Sequence, residues 1–381
     1  MRFIHVSDLH IGKRVNEFSM TEDQRHVLLQ IVKAVKDRRA DAVFIAGDVY
    51  DKTVPSAEAV EVFDDFIFSL SQTGAAVFII SGNHDSPERL AFLNRLVNKS
   101  GVYISPVYNG RCEPIELNDE FGKVNVYLLP FIKPSAVKRF FGEDIKTYTQ
   151  AVAECVSEMN IDLSERNVIL SHQFVTGAER TESEELSVGG LDNVDASVYY
   201  PFDYVALGHV HRPQKIEREY IRYSGTPLKY SFSEANDNKT MVFGELKKKG
   251  DLTLEFIPFS PVHDMSEIKG SYEQLVSRKF YEDQPFKDDY LHITLTDEND
   301  VLNAASNLRV IYKNMMKLDY DNARSRSVLS VDGLAKIEEK SPIDMFSELF
   351  RIQNGSELTD EQRELLLELI EDIWGNEDAA D

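Results

Sequence analysis

Five short polar motifs stand out because each directly follows an apolar run of β type. They are Asp8-Leu9-His10, Gly47-Asp48-Val49-Tyr50-Asp51, Gly82-Asn83-His84-Asp85, Ser171-His172 and Gly208-His209-Val210-His211. Ligands of open α/β sheets bind at the carboxyl ends of the strands, so the five motifs can meet at one edge. The glycines suit this use because they allow the backbone to turn sharply after a strand. We therefore expect one shared site.

The residue types in the motifs favour a metal centre. They offer two Asp, one Asn and four His as ligands, with His84 as a further imidazole and no cysteine. Imidazole and carboxylate in this mixture suit Mn²⁺, Fe or Zn²⁺ better than Ca²⁺ or an iron–sulfur cluster. Seven ligands exceed what one ion with an open position needs. Two ions that share one carboxylate fit better, and ions about 3.5–4 Å apart are the usual arrangement for phosphoryl transfer.

An ordinary structural explanation exists for each motif taken alone. Asp and Gly are common turn residues after strands, and a single histidine there is usually a packed one. The explanation weakens for the whole set, because it would have to select Asp, Asn or His after five different strands. The remaining histidines, His5, His26, His263 and His292, lie outside the motifs, and we expect packing or solvent exposure for them.

Hydrophobic patterning predicts the strands and helices that must position these motifs. Strands are predicted at Arg2–Val6, Ala42–Ala46, Ala76–Ile80, 124–129, 167–170 and 204–207. Later apolar runs at 221–224, Thr240–Leu246 and Leu252–Pro258 follow one another without long helices. The early alternation of strand and helix predicts an α/β sheet with buried strands. The later runs predict a second, antiparallel-leaning sheet.

Two helices are predicted between the first three strands. The first covers Thr21–Arg38, with a capping box from Ser19 and Glu22. The second covers 56–70. Apolar residues recur at helical spacing on one face of each helix, which predicts the buried faces. These residues are Val27, Ile31, Ala34 and Val35 in the first helix and Val60, Phe63, Phe66 and Ile67 in the second.

Composition narrows the class of protein. The chain has 381 residues, 42% hydrophobic and 28% charged, with a formal net charge of -23. This charge argues against a protein that wraps nucleic acid with a broadly basic surface, although it leaves room for a nuclease whose metal ions supply positive charge locally. Two cysteines, Cys112 and Cys155, provide neither a disulfide framework nor a thiolate zinc site. Without an apolar leader or an apolar run of membrane-spanning length, we expect a cytoplasmic enzyme.

The sequence predicts three parts: residues 1–260, 261–338 and 339–381. The middle part contains a helical stretch at 272–280, a strand at 290–296 and a helix at 301–316. The last part contains two helices, at 341–352 and 359–373, with apolar faces and twelve acidic residues against two arginines between 341 and 381. These helices can fold back on the chain's own core or bind a partner, and both alternatives remain open. A second acidic stretch, 179–203, carries seven acidic residues and one arginine.

The ordered motif set resembles the calcineurin-like metallophosphoesterase superfamily over about residues 1–260. The string from Ile4 to Gly12, together with Tyr223-Ser224-Gly225-Thr226-Pro227 and Ser231-Phe232-Ser233-Glu234, is more specifically similar to the bacterial branch of the DNA double-strand-break repair nucleases. The resemblance implies an α/β fold: a two-sheet sandwich flanked by helices, a small α+β capping domain and a C-terminal helical pair. In that family the helical pair grips the coiled coil of an SMC-like ATPase.

The resemblance also implies roles for individual residues. One Mn²⁺ is expected on Asp8, His10, Asp48 and His211, and a second on Asp48, Asn83, His172 and His209, with Mg²⁺ or another divalent ion as a possible substitute. His84 is expected to act on the departing sugar oxygen, and the carboxylate of Asp51 to orient His84, with a turn-capping role as the alternative for Asp51. Lys13, Arg14, Lys52 and Arg89 are candidate DNA contacts or, equally simply, solvated surface charges.

The expected function is Mn²⁺-dependent cleavage of DNA, internally in single strands and hairpins and exonucleolytically at duplex ends, with ATP entering only through the ATPase partner. Homodimerisation through the nuclease domain is a further expectation from the family. A stand-alone phosphatase or cyclic-nucleotide phosphodiesterase would use the same metal centre but leave residues 262–381 without a role. A scaffold without catalysis is disfavoured by the complete ligand set.

Overall fold

The computed structural model describes residues 1–92, 94–184, 192–282 and 284–323, together with separate positions between 343 and 369. The chain divides into two compact units, Met1–Met265 and Ser266–Asp381. Within the described part of the chain, no helix is long and apolar enough to cross a membrane.

The first unit contains the strands and helices that carry the five motifs. Its strands are β1 (Arg2–Val6), β2 (Arg14–Val15), β3 (Phe18–Ser19), β4 (Ala42–Ala46), β5 (Ala76–Ile80), β6 (Val102–Ile104), β7 (Ile115–Asp119), β8 (Gly122–Leu129), β9 (Arg166–His172), β10 (Phe174–Val175), β11 (Asn193–Val194), β12 (Tyr204–Gly208), β13 (Gln214–Ile216), β14 (Arg218–Tyr223), β15 (Thr240–Leu246) and β16 (Leu252–Pro258). Its α-helices are α1 (Thr21–Arg38), α2 (Ala57–Ser71), α3 (Pro87–Leu90), α4 (Asn94–Val97), α5 (Pro134–Phe141) and α6 (Tyr148–Glu158).

Two six-stranded sheets form the framework of this unit. The first has the order β16-β15-β1-β4-β5-β6 and the second has the order β13-β14-β12-β9-β8-β7. In the first sheet β1, β4, β5 and β6 are parallel. In the second sheet β14, β12, β9 and β8 are parallel. Antiparallel strands lie at the edges, so each sheet keeps a parallel centre, as the βαβ pattern predicts.

The sheets bury both faces of their central strands, because β4, β5 and β12 are apolar at nearly every position. Alternate residues of β9 and β12 point to opposite sides. Val168, Tyr204 and Ala206 pack with Phe3 and Phe44 of the first sheet. Ile169, Val205 and Leu207 pack instead in a second core that includes residues of α5 and α6. The unit is therefore a two-sheet sandwich with helices outside, which confirms the predicted fold class.

The two long helices agree with the sequence prediction in placement and differ in detail. The face of α1 formed by Val27, Ile31, Ala34 and Val35 is buried, as predicted. The predicted capping box is wrong, because Met20 is the N-cap residue and no side chain caps the helix. Ser19 Oγ instead lies 3.0 Å from Thr21 Oγ1.

In α2 the buried face is shifted from the predicted one. Val60 is 46% exposed, and Ala59 and Val62 are buried in its place. The residues Ala59, Val62, Phe63, Phe66 and Leu70 are spaced by three or four and form one continuous stripe, which Val60 would leave.

The late strands do not form a sheet of their own, so this expectation is wrong. β14 lies parallel to β12 in the second sheet. β15 pairs antiparallel with β1, and β16 pairs with β15, both at the edge of the first sheet. An unpaired β1 would expose a row of main-chain groups at the edge of a long apolar strand, and β15 satisfies them. Strands that are consecutive in the sequence, β14 and β15, therefore lie in two different sheets.

The second unit has a small core of its own. Its sheet has the order β17 (Met265–Gly270), β18 (Tyr290–Leu295) and β19 (Met315–Tyr320), and its helices are α7 (Tyr272–Leu275), α8 (Arg278–Tyr281) and α9 (Ala304–Ile311). The helix predicted at 301–316 is therefore too long. Met315 begins β19, which pairs parallel with β18, and this pairing outweighs the helical spacing of the sequence.

The predicted C-terminal helices lie only partly within the described residues. The described positions between 343 and 351, and those between 360 and 369, are helical. Thr359 and Gln362 form a capping box, because Thr359 N donates to Gln362 Oε1 at 3.0 Å and Gln362 N donates to Thr359 Oγ1 at 3.3 Å. Residues 324–342 and 370–381 are outside the described part, so the predicted boundary at 338 stays a prediction.

Candidate metal centre

The candidate site is assembled from the carboxyl ends of five parallel strands in two sheets. Asp8 and His10 follow β1, Asp48 follows β4, and Asn83 follows β5. His172 is the last residue of β9, and His209 and His211 follow β12. The sequence predicts convergence on one edge, and the structure shows that three motifs come from the first sheet and two from the second.

Four of the expected ligands have left-handed backbone conformations that non-glycine residues rarely adopt. The φ angles are 52° at Asp8, 44° at His10, 47° at Asp48 and 103° at His209. Main-chain hydrogen bonds hold two of these loops together, since Asp8 N donates to Gly47 O and His10 N to Asp48 O, both at 3.0 Å. Such backbone strain persists only where the surroundings fix it, and it concentrates at functional sites.

Glycines in the motifs allow the loops to approach one another closely. A Cβ on Gly82 would lie 2.1 Å from Asp48 Oδ1, and one on Gly208 would lie 1.9 Å from Ala46 O. A Cβ on Gly47 would lie 2.3 Å from His172 Nδ1. A side chain at any of these positions would displace a ligand or a strand, so here the glycines serve close packing.

One group of candidate ligands brings together Asp8, His10 and His211. Each offers an atom within 4.8 Å of the other two, and all three residues are buried. His10 Nε2 lies 3.1 Å from His211 Nε2 and 3.7 Å from Asp48 Oδ2. The two imidazoles thus direct nitrogens at the same small volume, beside a carboxylate.

A second group surrounds Asn83. Its Oδ1 lies 3.0 Å from His172 Nε2 and 2.8 Å from His209 Nδ1. His172 Nε2 also lies 3.4 Å from Asp48 Oδ2, while its Nδ1 donates to Ala46 O at 2.8 Å. That donation fixes the tautomer and leaves Nε2 facing the site. The carboxylate of Asp48 is therefore next to both groups.

The electrostatics of the cluster favour bound cations. Burial lowers the pKa of His209 to about 3 and holds the pKa values of His10 and His211 well below the usual value, so these imidazoles are neutral. Burial, with Asp48 nearby, raises the pKa of Asp8 to about 8. Neutral imidazole is the form that binds metals, and the raised pKa of Asp8 shows that the nearby charge of His172 does not offset the cost of burying this carboxylate.

The residues present fit a divalent metal site on further grounds. His10 Nδ1 is buried without a hydrogen-bond partner. Burial alone would raise the pKa of Asp48, but His172, His10 and His84 surround the carboxylate and hold that pKa well below its usual value. All seven donors are nitrogen or oxygen atoms, in the combination that transition-metal ions prefer over Ca²⁺.

His84 and Asp51 lie beside the seven donors, but their contact differs from the expected one. His84 Nδ1 is 3.2 Å from the main-chain oxygen of Asp51, and His84 N donates to Asp48 Oδ1 at 2.9 Å. The carboxylate of Asp51 accepts from Lys13 Nζ at 2.8 Å and lies 3.8 Å from His10 Nδ1. The expectation that this carboxylate orients His84 is therefore wrong, and the main-chain carbonyl takes that place.

Asp85 is a supporting residue for which the sequence reasoning assigned no role. Its buried carboxylate accepts from Val49 N at 3.1 Å, Tyr50 N at 2.9 Å and Gly82 N at 2.9 Å. These bonds join the loop after β4 to the loop after β5, which carry Asp48 and Asn83. Its position in the third motif was a visible signal, but the sequence does not show which main-chain groups it meets.

The four candidate DNA-contacting cations have different surroundings. Lys13 is committed to the ion pair with Asp51 and lies 5.4 Å above the ring of Tyr230. Arg14 is exposed and donates to Glu17 O. Lys52 is exposed on the loop that follows β4, and Arg89 is exposed in α3, the short helix after β5. Lys13 is thus the least available of the four.

The histidines outside the motifs take no part in the cluster. His5 is buried, with Nδ1 2.9 Å from Tyr204 Oη and Nε2 3.1 Å from Leu207 O. His26 is exposed. His263 Nδ1 lies 3.0 Å from Asp23 Oδ2. In the second unit, His292 lies between Glu267 and Asp319.

Comparison with known proteins identifies the class. A family model described as calcineurin-like phosphoesterase matches residues 1–213. The chain is thus a calcineurin-like phosphoesterase, a hydrolase of phosphodiester bonds, and its cluster of donors is a divalent-metal site. Over 383 residues it is 31% identical to the SbcD subunit of the nuclease SbcCD from Staphylococcus epidermidis, covering 98% of this chain and 100% of that protein. It belongs to the SbcD family.

Two further similarities complete the comparison. A family model described as type 5 capsule protein repressor C-terminal domain matches residues 261–354. Among solved structures, the crystal structure of a dimetal phosphatase from Danio rerio aligns with 67% of this chain and 95% of its own, with 13% sequence identity and a TM-score of 0.39.

Proposed function

We propose that this chain is a Mn²⁺-dependent DNA nuclease that cuts single strands and hairpins internally and removes nucleotides from duplex ends. It acts with an SbcC-type ATPase in DNA end processing, repair and recombination. The observation that carries the proposal is the convergence of seven nitrogen and oxygen donors in a chain that aligns, almost end to end, with a component of a nuclease.

The donors divide into two ligand sets that share Asp48. Asp8, His10, Asp48 and His211 hold one cation, and Asp48, Asn83, His172 and His209 hold the other. When bound, the two cations supply Lewis-acid stabilisation of the phosphoryl oxygens and lower the pKa of the attacking water. The 3.7 Å and 3.4 Å separations of Asp48 Oδ2 from His10 Nε2 and His172 Nε2 support the shared position of this carboxylate.

His84 supplies the proton for the departing sugar oxygen. With Nδ1 held by the carbonyl of Asp51, the imidazolium form has Nε2–H free to donate, and this nitrogen lies 4.0 Å from Asp48 Oδ2. A side chain beside the ligands but outside both sets can move a proton without releasing a cation. Asp51 is then a positioning residue that acts through its main chain.

The substrate is polyanionic, whereas the chain has a net charge of -23. Cations in the site and basic residues of the partner therefore supply much of the attraction for DNA. Of the four candidate contacts, Arg14, Lys52 and Arg89 remain exposed and can meet phosphates. ATP is used only through the partner subunit. We place the protein in the cytoplasm and expect it to form a homodimer.

The C-terminal helices dock the coiled coil of the ATPase. Among their described residues, Phe346 is 43% exposed, Leu349 50%, Leu365 59% and Leu369 49%. Exposed apolar side chains within a strongly acidic segment suit an apolar partner face with a basic rim. These exposures favour partner binding over packing against the chain's own core.

A comparison of substrates tests the proposal. Purified protein with Mn²⁺ should cleave a DNA hairpin, and it should lose this activity when EDTA removes the metal. Hydrolysis of p-nitrophenyl phosphate without cleavage of the hairpin would instead support a stand-alone phosphatase. Cleavage of a cyclic nucleotide alone would support the phosphodiesterase alternative.

A further inference from the structure

A buried chain of hydrogen bonds lies behind His211. Its Nε2 faces His10, as described above, while its Nδ1 is 2.6 Å from Ser183 Oγ. The hydroxyl of Ser183 donates in turn to Glu234 Oε1. Lys239 Nζ donates to Glu234 Oε2 at 2.5 Å and to the main-chain oxygen of His211 at 2.9 Å. This series of hydrogen bonds therefore begins at the side chain of His211 and ends at its main chain.

The two charged side chains of this hydrogen-bond network are buried. Glu234 is 0% exposed and Lys239 is 7% exposed. A buried ion pair is weak evidence for stability, because the cost of desolvation offsets much of the attraction. Its fixed geometry can instead position a functional group, and here each partner reaches His211, directly or through one hydroxyl.

The hydrogen-bond partners determine where the protons of Ser183 and His211 lie. Glu234 Oε1 accepts from the hydroxyl of Ser183, so the proton of Ser183 points to Glu234. The oxygen of Ser183 must then accept from His211, which places the proton of the imidazole on Nδ1. The lone pair of Nε2 is left facing Asp8 and His10, in the orientation that a metal ligand needs.

The main chain of His211 is held by the same segment that supplies Ser183. His211 N donates to Glu184 Oε1 at 2.8 Å, and Thr181 Oγ1 lies 2.9 Å from Ser183 Oγ. The sequence marks this region only as an acidic stretch. In the structure, part of that stretch, Thr181–Glu184, packs behind one of the expected ligands rather than forming a solvated acidic surface.

We propose that Ser183 and Glu234 are positioning residues that fix the tautomer and ring orientation of His211, and thereby set the affinity of the cation that Asp8, His10 and His211 share. Lys239 pairs with Glu234 and ties it to the main chain of His211. This inference rests on the two-cation centre of the proposed function. The side chains of Ser183 and Glu234 contact neither substrate nor cation, and they act through His211.

Titration of metal-free full-length protein with Mn²⁺, followed by calorimetry and by electron paramagnetic resonance of the bound ion, tests the proposal without an activity assay. Ser183→Ala should weaken one of the two Mn²⁺ sites by about 10–100-fold and leave the other unchanged. Ser183→Thr should restore the affinity, because it keeps a hydroxyl. Ser100→Ala is the control, since Ser100 is an exposed serine that precedes β6, on the side of the sheet opposite the motifs.

The outcomes are separable. Unchanged affinity at both sites in Ser183→Ala would overturn the proposal, as would equal weakening at both sites or a Ser183→Thr variant as weak as Ser183→Ala. Glu234→Gln is a second test. It should weaken Mn²⁺ binding at the same site and leave the other site unchanged. A wild-type protein that binds no Mn²⁺ would overturn the metal centre itself and this inference with it, whereas two intact sites with no effect of Ser183 would overturn this inference alone.

Discussion

His84 is half-buried beside the seven donors and differs from them in its partners. Because it lies outside both proposed ligand sets, we expect His84→Gln to retain two bound cations while DNA cleavage slows by about 10²–10⁴-fold, the usual cost of a lost general acid. Elemental analysis of the purified variant and single-turnover cleavage of a hairpin measure the two effects. Loss of a cation would make His84 a ligand and remove the role proposed for it.

Asp51→Asn is the matched control for His84, because the substitution keeps the main-chain carbonyl that His84 meets. It removes the charge opposite Lys13 but leaves the imidazole in place. We expect a smaller rate defect than in His84→Gln, measured in the same single-turnover assay. An equal defect would show that the carboxylate of Asp51 has a direct part in the reaction.

The side chains that converge on the site could be selected from the sequence, because each lies at the end of an apolar strand and is of a metal-binding type. The contacts between loops could not be predicted from the sequence. Whether Asp51 meets His84 through its carboxylate or its carbonyl depends on how the loop after β4 turns. The pairing of Ser183 with Glu234 joins residues 51 positions apart, and neither residue type is unusual for a surface loop.

At the scale of elements, Arg166 joins three strands at the end opposite the metal centre. It is 2% exposed and donates to both oxygens of Asp119 at the end of β7, to Leu246 O at the end of β15 and to Gly122 O at the start of β8. Arg166→Met would leave a half-buried carboxylate and several carbonyls without this donor. We expect a loss of about 3–5 kcal/mol in the free energy of unfolding, measured by urea denaturation.

The same cluster predicts how stability depends on pH. Burial alone would raise the pKa of Asp119, but the guanidinium of Arg166, together with the ammonium of Met1, overrides it and holds the pKa well below the usual value. A carboxyl whose pKa is lowered by folding stabilises the protein above its unfolded pKa of about 3.9, and this contribution is lost as the pH falls further. The difference in unfolding free energy between wild type and Asp119→Asn should therefore shrink below about pH 4.

Glu116→Gln is the control for this pH dependence. Glu116 is exposed and pairs with Lys123 at 3.1 Å, so its removal should change stability by less than about 1 kcal/mol at any pH. A difference for Asp119→Asn that stays constant from pH 6 to pH 3 would contradict the assignment of Asp119 as the charged partner of Arg166.

The sequence predicted most elements of the first unit but not how they assemble. Apolar β-rich runs identified β1, β4, β5, β9 and β12, and helical spacing identified α1 and α2. The pairing of β15 with β1 could not be predicted, because both strands are largely buried and neither sequence specifies its partner, which is set by the exposed edge that each strand would leave. In the second unit, the run that forms α9 and β19 reads as one helix, and only the pairing with β18 separates them.

At the scale of the whole molecule, the C-terminal helices carry the proposed link to the ATPase. Leu365 and Leu369 lie on one helix turn and are about half exposed. The double variant Leu365→Glu/Leu369→Glu should lose binding to an SbcC-type ATPase and the stimulation of duplex-end cleavage by ATP. Cleavage of single-stranded DNA with Mn²⁺ should remain. Co-elution in size-exclusion chromatography and nuclease assays with and without ATP measure these effects.

Leu163→Glu provides the control for that experiment, since Leu163 is an exposed leucine of the first unit, at 62% exposure. It should bind the ATPase like the wild type. Retained binding in the double variant would show that the apolar face of the tail is not the docking surface. Loss of single-strand cleavage together with binding would indicate that the helices support the fold.

Asp48 is the residue proposed to hold both cations for the cleavage of DNA, and a comparison of wild type with Asp48→Ala tests this role. Elemental analysis and Mn²⁺-dependent cleavage of a DNA hairpin are recorded on the same samples, with Asp251→Ala, at an exposed position, as control. We predict two cations and cleavage in the wild type and control. Asp48→Ala should lose cation binding and fall to background cleavage, because both ligand sets lose their shared carboxylate. Near-normal Mn²⁺-dependent cleavage by Asp48→Ala would contradict the account.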